Sequence, residues 1–314
     1  MVGCGLHATS IVSPSADRAG FRLVAVCDTN QARAERATHG YSNVRVYGDY
    51  RELLNDSEAQ VVFVCGPPTL HHAAGLAVLE SGRHLYVEKP PAWSSKDVGM
   101  MQEVAARRGS KVLVGLAKRH APLYRKALEL QDSPPFGQAQ LFRMSYSHWP
   151  VPDLKDQLFF FSIHAIDLCL SFMGPIRELA ICRTEFGRSR SLSLYAIHES
   201  GSASQLALNT TTAGIRERLE LSGDEWLISV DDLTKIEWAH GEMMSTSSWR
   251  PQFAVPGPSS DSNVLAGYSG EMAHLHQAIL SDSVPEPGLD AARRAIEVIE
   301  AIIESPEGIA HRHF

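Results

Sequence analysis

The chain has 314 residues, 44% of them hydrophobic and 21% charged, and its formal net charge is −7. This composition is typical of a globular protein of about two domains and excludes a disordered chain. The negative charge balance argues against a nucleic-acid-binding or membrane-surface protein, and no uncharged apolar run reaches the ~18 residues of a membrane span. The five cysteines form no Cys-x-x-Cys pair. They therefore favour a reducing, cytoplasmic compartment over a disulfide framework or a structural zinc site.

The first 120 residues alternate short apolar runs with helical patterns. Strands are predicted at Leu23–Cys27, Val61–Cys65, His84–Val87 and Val112–Leu116, and helices at Gln31–Thr38, Leu70–Ser81 and Lys96–Arg108. Runs that are apolar on both faces are typical of strands buried in a parallel sheet. The alternation predicts a doubly wound α/β domain over residues 1–120.

The second part of the chain, residues 121–314, has a different texture. Strands are predicted at Leu141–Tyr146, Leu192–Ile197, Gln205–Asn209, Arg218–Ser222 and Trp226–Val230, with few helices between them. Helices are predicted at Phe161–Phe172, Glu271–Leu280 and Ala291–Ile303, and a long Ser- and Pro-rich loop at Ser245–Ser262. This succession predicts a second domain with a mainly antiparallel sheet, and its last helices can pack back on the first domain.

The segment Gly3-Cys4-Gly5-Leu6-His7-Ala8 fits the G-x-G-x-x-G/A pattern of a dinucleotide-binding turn. Glycines there let the backbone approach a pyrophosphate at a helix N-terminus. Asp28 ends the next predicted strand, close to the ~20-residue spacing expected for an acid that binds the adenosine ribose. An acid repels the 2′-phosphate of NADP, so NAD is favoured and NADP stays possible; the alternative is a turn or capping acid. The predicted cofactor residues here are Gly3, Gly5, Leu6, His7 and Asp28.

Only Met1 and Val2 precede the first glycine, where a central strand of about five residues is expected. One hypothesis is that the native start lies upstream of this methionine, and the alternative is a weakened domain. Mass spectrometry of the native N-terminus distinguishes the two.

Glu88-Lys89-Pro90 follows a predicted strand at its carboxyl end, where α/β sheets place their ligands. A half-buried lysine at that place can polarise a hydroxyl that is being oxidised. The alternative interpretation is a solvated lysine in a turn.

Several motifs along the chain resemble the Gfo/Idh/MocA family, the glucose–fructose oxidoreductase and inositol dehydrogenase group. They are Gly66-Pro67-Pro68-Thr69-Leu70-His71, the segments 80–90 and 114–122, and Ile163-His164-Ala165-Ile166-Asp167-Leu168. The resemblance implies an N-terminal Rossmann domain and a C-terminal α/β domain with an open, mainly antiparallel sheet. It also implies a homodimer or homotetramer joined through that sheet, and hydride transfer between a nicotinamide and a carbinol or keto carbon of a sugar, inositol or sugar nucleotide.

The same resemblance implies roles for individual residues. Lys89 would bond the reacting oxygen, and His164 would be the general acid/base. Further cofactor contacts would come from Gly66, Pro67, Pro68, His71, Glu88 and Lys89. Substrate contacts would come from Arg119, Trp149, Asp156 and Phe160. No metal site is expected, because the paired histidines lack an acid or cysteine partner at useful spacing.

One position departs from the family pattern, because Phe160 stands where an aspartate usually lies four residues before the histidine. Asp153 or Asp156 could reach in from the preceding loop. The aromatic run could be core packing, or it could form an apolar substrate wall with Trp149 as a stacking face. Two other functions therefore stay open: a glycosidase or lyase that retains NAD, and a non-catalytic regulator that binds NAD(P) or a sugar.

Overall fold

The structure is a computed structural model that describes residues 1–241, 246–251 and 261–314. It divides into two compact units. The first is Met1–Ala117 with Tyr268–Arg293, and the second is Lys118–Gly267 with Arg294–Phe314. The chain thus returns to the first unit after completing most of the second.

The strands of the described residues follow in chain order. They are β1 (Ala25–Cys27), β2 (Arg45–Tyr47), β3 (Val61–Val64), β4 (His84–Val87), β5 (Val112–Val114), β6 (Leu141–Ser147), β7 (Ile176–Phe186), β8 (Ser189–His198), β9 (Ala203–Asn209), β10 (Arg216–Gly223), β11 (Trp226–Asp231), β12 (Lys235–His240), β13 (Thr246–Trp249) and β14 (Gly308–His313).

The α-helices of the same residues are α1 (Ser13–Arg18), α2 (Gln31–Ala37), α3 (Tyr50–Asp56), α4 (Pro68–Glu80), α5 (Ser95–Arg108), α6 (Pro122–Gln131), α7 (Leu154–Gln157), α8 (Ile163–Met173), α9 (Ser262–Leu265), α10 (Tyr268–Leu280) and α11 (Leu289–Ile303). Two π-helical segments, Ala8–Val12 and Leu158–Ser162, lead into α1 and α8.

The sheet of the first unit is parallel throughout. β1 pairs with β2, and β3 pairs with β4, which pairs with β5. Val2 joins the two parts, because it forms parallel bridges to Cys27 on one side and to Val64 on the other. The resulting order places the segment before the glycine loop in the middle of a doubly wound sheet. The predicted fold class is confirmed for this unit.

Local signals explain where the helices of the first unit begin and end. Asn30 caps α2 by accepting a hydrogen bond from the backbone of Arg33, and Ser94 caps α5 by accepting one from Asp97. Gly109 ends α5 in the left-handed conformation, with φ of 65°, which a glycine adopts without a steric penalty. The core below the sheet includes Val26, Phe63, Tyr86, Leu113 and Met272.

The second unit is built on a nine-stranded sheet of order β13-β12-β11-β10-β6-β9-β8-β7-β14. Its pairs are antiparallel except β6 with β9, which run parallel. Burial alternates along the strands, so one face carries buried apolar side chains such as Phe142 and Leu206. The buried helix α8 packs against β6 and β9. The predicted mainly antiparallel sheet is confirmed.

Some elements differ from the predictions. The strands β2, β7, β12, β13 and β14 were not predicted, and neither were α3 and α6, whereas the helix expected after the glycine loop is present as the π-helical segment that leads into α1. The predicted loop Ser245–Ser262 includes β13, a polar and exposed strand that forms by pairing with β12. Residues 245 and 252–260 of that loop lie outside the described residues. An exposed strand with few apolar side chains gives no periodic signal, and its partner decides its conformation.

Within the part of the chain that the structure describes, one helical run is long and apolar enough to raise the question of a membrane span. It is Leu154–Met173, with 20 residues, and 72% of its apolar window is buried within the protein. Burial of that degree is what a core helix shows.

Candidate functional site

The glycine loop follows Val2 at the carboxyl edge of the parallel sheet. Gly3 has a φ of +87°, and a Cβ there would lie 1.9 Å from the backbone oxygen of Cys65, so only glycine fits. A Cβ on Gly5 would meet no atom within 4 Å. The first glycine therefore permits the turn, and the second leaves open space above the backbone, where a pyrophosphate can approach.

Asp28 lies beside this loop and is fixed by it. Its carboxylate accepts hydrogen bonds from the backbone N–H of Cys4 at 2.8 Å and from that of Asn30 at 2.8 Å. The acid is thus joined to the glycine loop, and Asn30, not Asp28, caps the following helix. A carboxylate has about four acceptor sites, so two of them remain for ribose hydroxyls.

The loop after β3 begins with Gly66 and leads into α4, whose N-cap is Pro67 and whose first residue is Pro68. His71, one turn into the helix, is buried and fixes this loop. Its Nε2 accepts a hydrogen bond from the backbone of Gly66 at 2.9 Å, so its Nδ1 carries the proton and donates to the carbonyl of Pro90 at 2.8 Å. Burial lowers the pKa of His71, which agrees with a neutral ring. Both ring nitrogens are committed to the backbone, so His71 positions the loop and has no nitrogen left for a cofactor.

The strand β4 ends at Glu88, which is buried, and Lys89, which is half-buried. The Glu88 carboxylate accepts hydrogen bonds from His7 at 2.8 Å, from the Tyr86 hydroxyl at 2.7 Å and from the backbone N–H of Lys89 at 3.2 Å. Burial alone would raise the pKa of Glu88, but the His7 hydrogen bond and the charge of Lys89 lower it, so this carboxyl is ionised at neutral pH.

His164 lies in the first turn of α8 in the second unit and is buried. One turn later on the same helix, Asp167 accepts two hydrogen bonds from the guanidinium of Arg119, at 2.8 and 2.6 Å. Arg119, which the resemblance placed near the substrate, therefore forms a bidentate ion pair with the helix that carries His164.

The aromatic run before His164 divides into two roles. Phe159 is buried, which confirms core packing for that residue, whereas Phe160 and Phe161 are half-buried. His148 stacks on Phe161 with ring centroids 4.0 Å apart, and Trp149 meets Phe161 edge-on at 5.3 Å. Trp149 keeps 43% of its surface exposed. An exposed indole held by a second ring provides a flat apolar face.

Asp153 and Asp156, the two acids that could compensate for the aspartate missing at position 160, differ in their surroundings. Asp153 accepts a hydrogen bond from the backbone of Asp156 at 2.8 Å and is the N-cap of α7. Asp156 is half-exposed in the first turn of that short helix. The carboxylate of Asp153 is therefore engaged by its own helix.

The histidine pair of α10 is held by separate contacts. His274 accepts a hydrogen bond from the backbone of Glu286 at 2.9 Å, and His276 packs edge-on against Phe21. Among residues 1–241, 246–251 and 261–314, no group of three or more His, Cys, Asp or Glu side chains is arranged to hold a metal ion.

Comparison with known proteins identifies proteins of similar sequence and fold. Residues 1–116 match the sequence profile GFO_IDH_MocA, described as "Oxidoreductase family, NAD-binding Rossmann fold". The inositol 2-dehydrogenase of Salmonella typhimurium (strain LT2) is 27% identical over 207 residues, which cover 64% of this chain and 60% of that relative. The inositol 2-dehydrogenase 2 of Saccharopolyspora erythraea is 27% identical over 293 residues, which cover 87% of this chain and 85% of that relative. The crystal structure of a dehydrogenase from Chromobacterium violaceum has the same fold, with a TM-score of 0.89, 24% identity, and coverage of 96% of this chain and 92% of that one.

Within this chain, the match to the Gfo/Idh/MocA oxidoreductase family model extends over the first unit, residues 1–116. Residues 1–116 thus form an NAD-binding Rossmann unit, and the cofactor prediction is confirmed at the level of NAD binding. The match covers less than two thirds of the Salmonella relative.

Three residues near the glycine loop and Glu88 were not predicted from the sequence to contribute to the site. Tyr86 and Glu271 extend the hydrogen-bond chain of Glu88, and Tyr268 packs edge-on against the ring of His7. Tyr86 lies within an apolar strand pattern, and Glu271 and Tyr268 lie on a helix far along the chain. The only sequence signal was a polar side chain on an otherwise apolar face.

Proposed function

We propose that the protein is an NAD-dependent dehydrogenase or ketoreductase acting on a CH–OH carbon of a sugar, an inositol or a sugar nucleotide. The observation that carries this proposal is a convergence within the first unit. The glycine loop, Asp28 and Lys89 each follow the end of one of several neighbouring parallel strands. A hydrogen bond joins the glycine loop to Asp28, and a second one joins His7, at the start of the helix after that loop, to Glu88. The inositol dehydrogenases among its relatives support a polyol-like substrate.

The residues of the first unit fit a dinucleotide. The open space above Gly5 suits the pyrophosphate, and the fixed carboxylate of Asp28 suits ribose hydroxyls and disfavours a 2′-phosphate. The loop of Gly66, Pro67 and Pro68 starts a helix at the same sheet edge and can line the cofactor. When bound, the nicotinamide accepts or donates the hydride.

We assign to Lys89 the stabilisation of charge on the reacting oxygen, and to His164 the transfer of the hydroxyl proton. Lys89 would donate a hydrogen bond to the reacting oxygen and stabilise its negative charge as the hydroxyl proton leaves. His164 would take up that proton in the oxidation and return it in the reduction. Asp167 and Arg119 would hold the His164 helix in place through their ion pair.

Phe160 and Trp149 bear on which substrate is accepted. Phenylalanine cannot accept a hydrogen bond, so the substrate loses one carboxylate partner at this place relative to the family pattern. The half-exposed Trp149 face, fixed by Phe161, is suited to stack on the apolar face of a sugar ring. Arg119 and Asp156 are the further polar candidates for substrate contact.

The test is NAD⁺ reduction, followed by absorbance, over a panel of inositols, sugars and sugar nucleotides. We expect turnover with at least one of them, and its loss in Lys89→Ala and in His164→Ala. The matched controls are Lys96→Ala and His313→Ala, which change exposed residues of the same type in the same units. Full activity in Lys89→Ala would remove that lysine from the mechanism. Product formation without net NADH would indicate an NAD-retaining glycosidase or lyase, and NAD binding without turnover would indicate a regulator.

We further propose a homodimer or homotetramer joined through the outer face of the nine-stranded sheet. That face exposes large apolar side chains, among them Tyr195, Ile197 and Leu227. Tyr195 and Ile197 lie two residues apart on the same face of β8, and burying this exposed apolar pair would favour association of two copies. Light scattering should show an oligomer that Tyr195→Asp dissociates; a monomeric wild type would refute this.

The five cysteines are free thiols, which supports a reducing cytoplasm.

A further inference from the structure

A chain of hydrogen bonds runs through the interior of the first unit, behind Lys89. The hydroxyl of Tyr86 lies 2.7 Å from Oε1 of Glu88 and 3.0 Å from Oε1 of Glu271. Tyr86 and Glu271 are fully buried, and Glu88 nearly so. Two acids that share one hydroxyl in the interior cannot both be ionised without strong repulsion.

The hydrogen-bond geometry fixes the order of the protons. A hydroxyl has one proton, so Tyr86 donates to one carboxyl and must accept from the other. Glu88 also receives hydrogen bonds from His7 and from the backbone of Lys89, which favour its ionised form. Glu271 therefore carries a proton and donates it to Tyr86, which donates to Glu88.

Two further observations agree with a neutral Glu271. Burial, and then the charge of Glu88, raises the pKa of Glu271 well above its ordinary value. Its Oε2 is buried and has no hydrogen-bond partner among the residues that the structure describes. A carbonyl oxygen of a neutral acid tolerates this far better than an ionised oxygen does.

We propose that Tyr86 and Glu271 are positioning residues, which hold the Glu88 carboxylate so that it ties His7, on the helix after the glycine loop, to the backbone of Lys89. The proposal deepens the proposed function, because it assumes that the loop and Lys89 meet the cofactor and the reacting oxygen. The titratable groups facing the two acids within this unit are Tyr86, Tyr268, Cys65, His7, His71 and Lys89.

Gly115 supplies the space for this arrangement. It follows β5, and a Cβ there would lie 2.8 Å from the Tyr86 hydroxyl and 3.0 Å from the Glu88 carboxylate. A glycine at this place is therefore required by the hydrogen-bond chain and not by its own backbone conformation. Gly115→Ala should displace the same two side chains that Tyr86→Phe disconnects.

The first measurement is made without cofactor or substrate. Infrared spectroscopy of the wild-type protein at neutral pH should show a protonated buried carboxyl, and the band should be absent in Glu271→Gln. Absence of the band in the wild type, or its persistence in the variant, would overturn the proposal. This result does not depend on any enzymatic activity, so it stands even if no polyol is oxidised.

The second measurement is the dissociation constant of NADH from its fluorescence. Tyr86→Phe removes one hydrogen bond from a buried carboxylate, so we expect NADH to bind about tenfold more weakly. In Tyr86→Phe, the fall of NADH affinity at low pH should begin at a higher pH than in the wild type, because Glu88 loses a hydrogen-bond donor that favours its charged form. Glu271→Gln keeps a donor toward Tyr86 and should bind within about twofold of the wild type. Unchanged affinity and pH profile in Tyr86→Phe would refute the positioning role, as would an equal loss in both variants.

Discussion

A buried ion pair in the second unit offers a sharp test of the packing. Nζ of Lys118 lies 2.5 Å from Oε1 of Glu217, and the Tyr124 hydroxyl donates to Oε2 at 2.9 Å. The lysine and glutamate side chains are only 12% and 5% exposed. Lys118→Met keeps an apolar stem of similar length and removes the charge, so Glu217 stays buried with Tyr124 as its remaining side-chain donor.

Removing one partner of a buried ion pair typically costs about 3–5 kcal/mol, and the Tyr124 hydrogen bond places this pair near the lower limit. A unit of this size loses about 2–4 °C per kcal/mol, so Tm should fall by about 6–12 °C. Glu217→Gln in the same chain removes the unpaired charge and still accepts from Tyr124. The double variant should therefore recover at least half of the loss, which is a coupling of about 1–3 kcal/mol.

The assay is differential scanning calorimetry of the wild type, both single variants and the double variant. The control is Lys126→Met, whose partner Glu129 lies at 3.5 Å and whose side chain is 44% exposed. That variant should lose less than ~1 kcal/mol. The reasoning fails if Lys118→Met loses no more than the control, or if the two substitutions of the buried pair are additive.

Three other predictions concern the first unit and the thiols. Gly5→Ala should keep the Tm of the wild type and bind NADH more weakly, because the added Cβ enters the open space above the loop. Gly3→Ala should fail to fold, because the added Cβ would overlap a backbone oxygen. Equal Tm values for the two variants would contradict this. Because the pKa of Glu271 is raised in the folded protein, unfolding of the wild type releases a proton above about pH 4.5, and the wild type loses stability as the pH rises. Glu271→Gln lacks this proton, so its free energy of unfolding should increasingly exceed that of the wild type above that pH. Chemical denaturation from pH 4 to 8 measures the difference, and a difference that does not change with pH would refute the prediction. Cys169, whose pKa burial raises to about 12, should be alkylated by iodoacetamide far more slowly than the half-buried Cys182, as mass spectrometry of the labelled peptides would show.

Much of the first unit was predictable because its signals are local. Strands buried on both faces read as continuous apolar runs, and β4 was predicted with its observed bounds, His84–Val87. The glycine loop and Asp28 were predicted from spacing alone, and the hydrogen bond between Cys4 and Asp28 shows why that spacing matters. The second unit was less predictable, because β13 is a short exposed strand that depends on its pairing with β12, and β14 pairs with β7, a strand far earlier in the chain.

Local residue patterns therefore specify the alternation of strands and helices, the glycine turn and the lysine at a strand end, since each depends on residues close together in the chain. Which side chains share protons and charges depends instead on the folded arrangement of the chain. Glu271 meets Tyr86 across 185 positions of sequence, and Arg119 meets Asp167 across 48. A carboxyl group has the same covalent structure in every sequence, but its charge depends on burial and on the donors that the fold places around it.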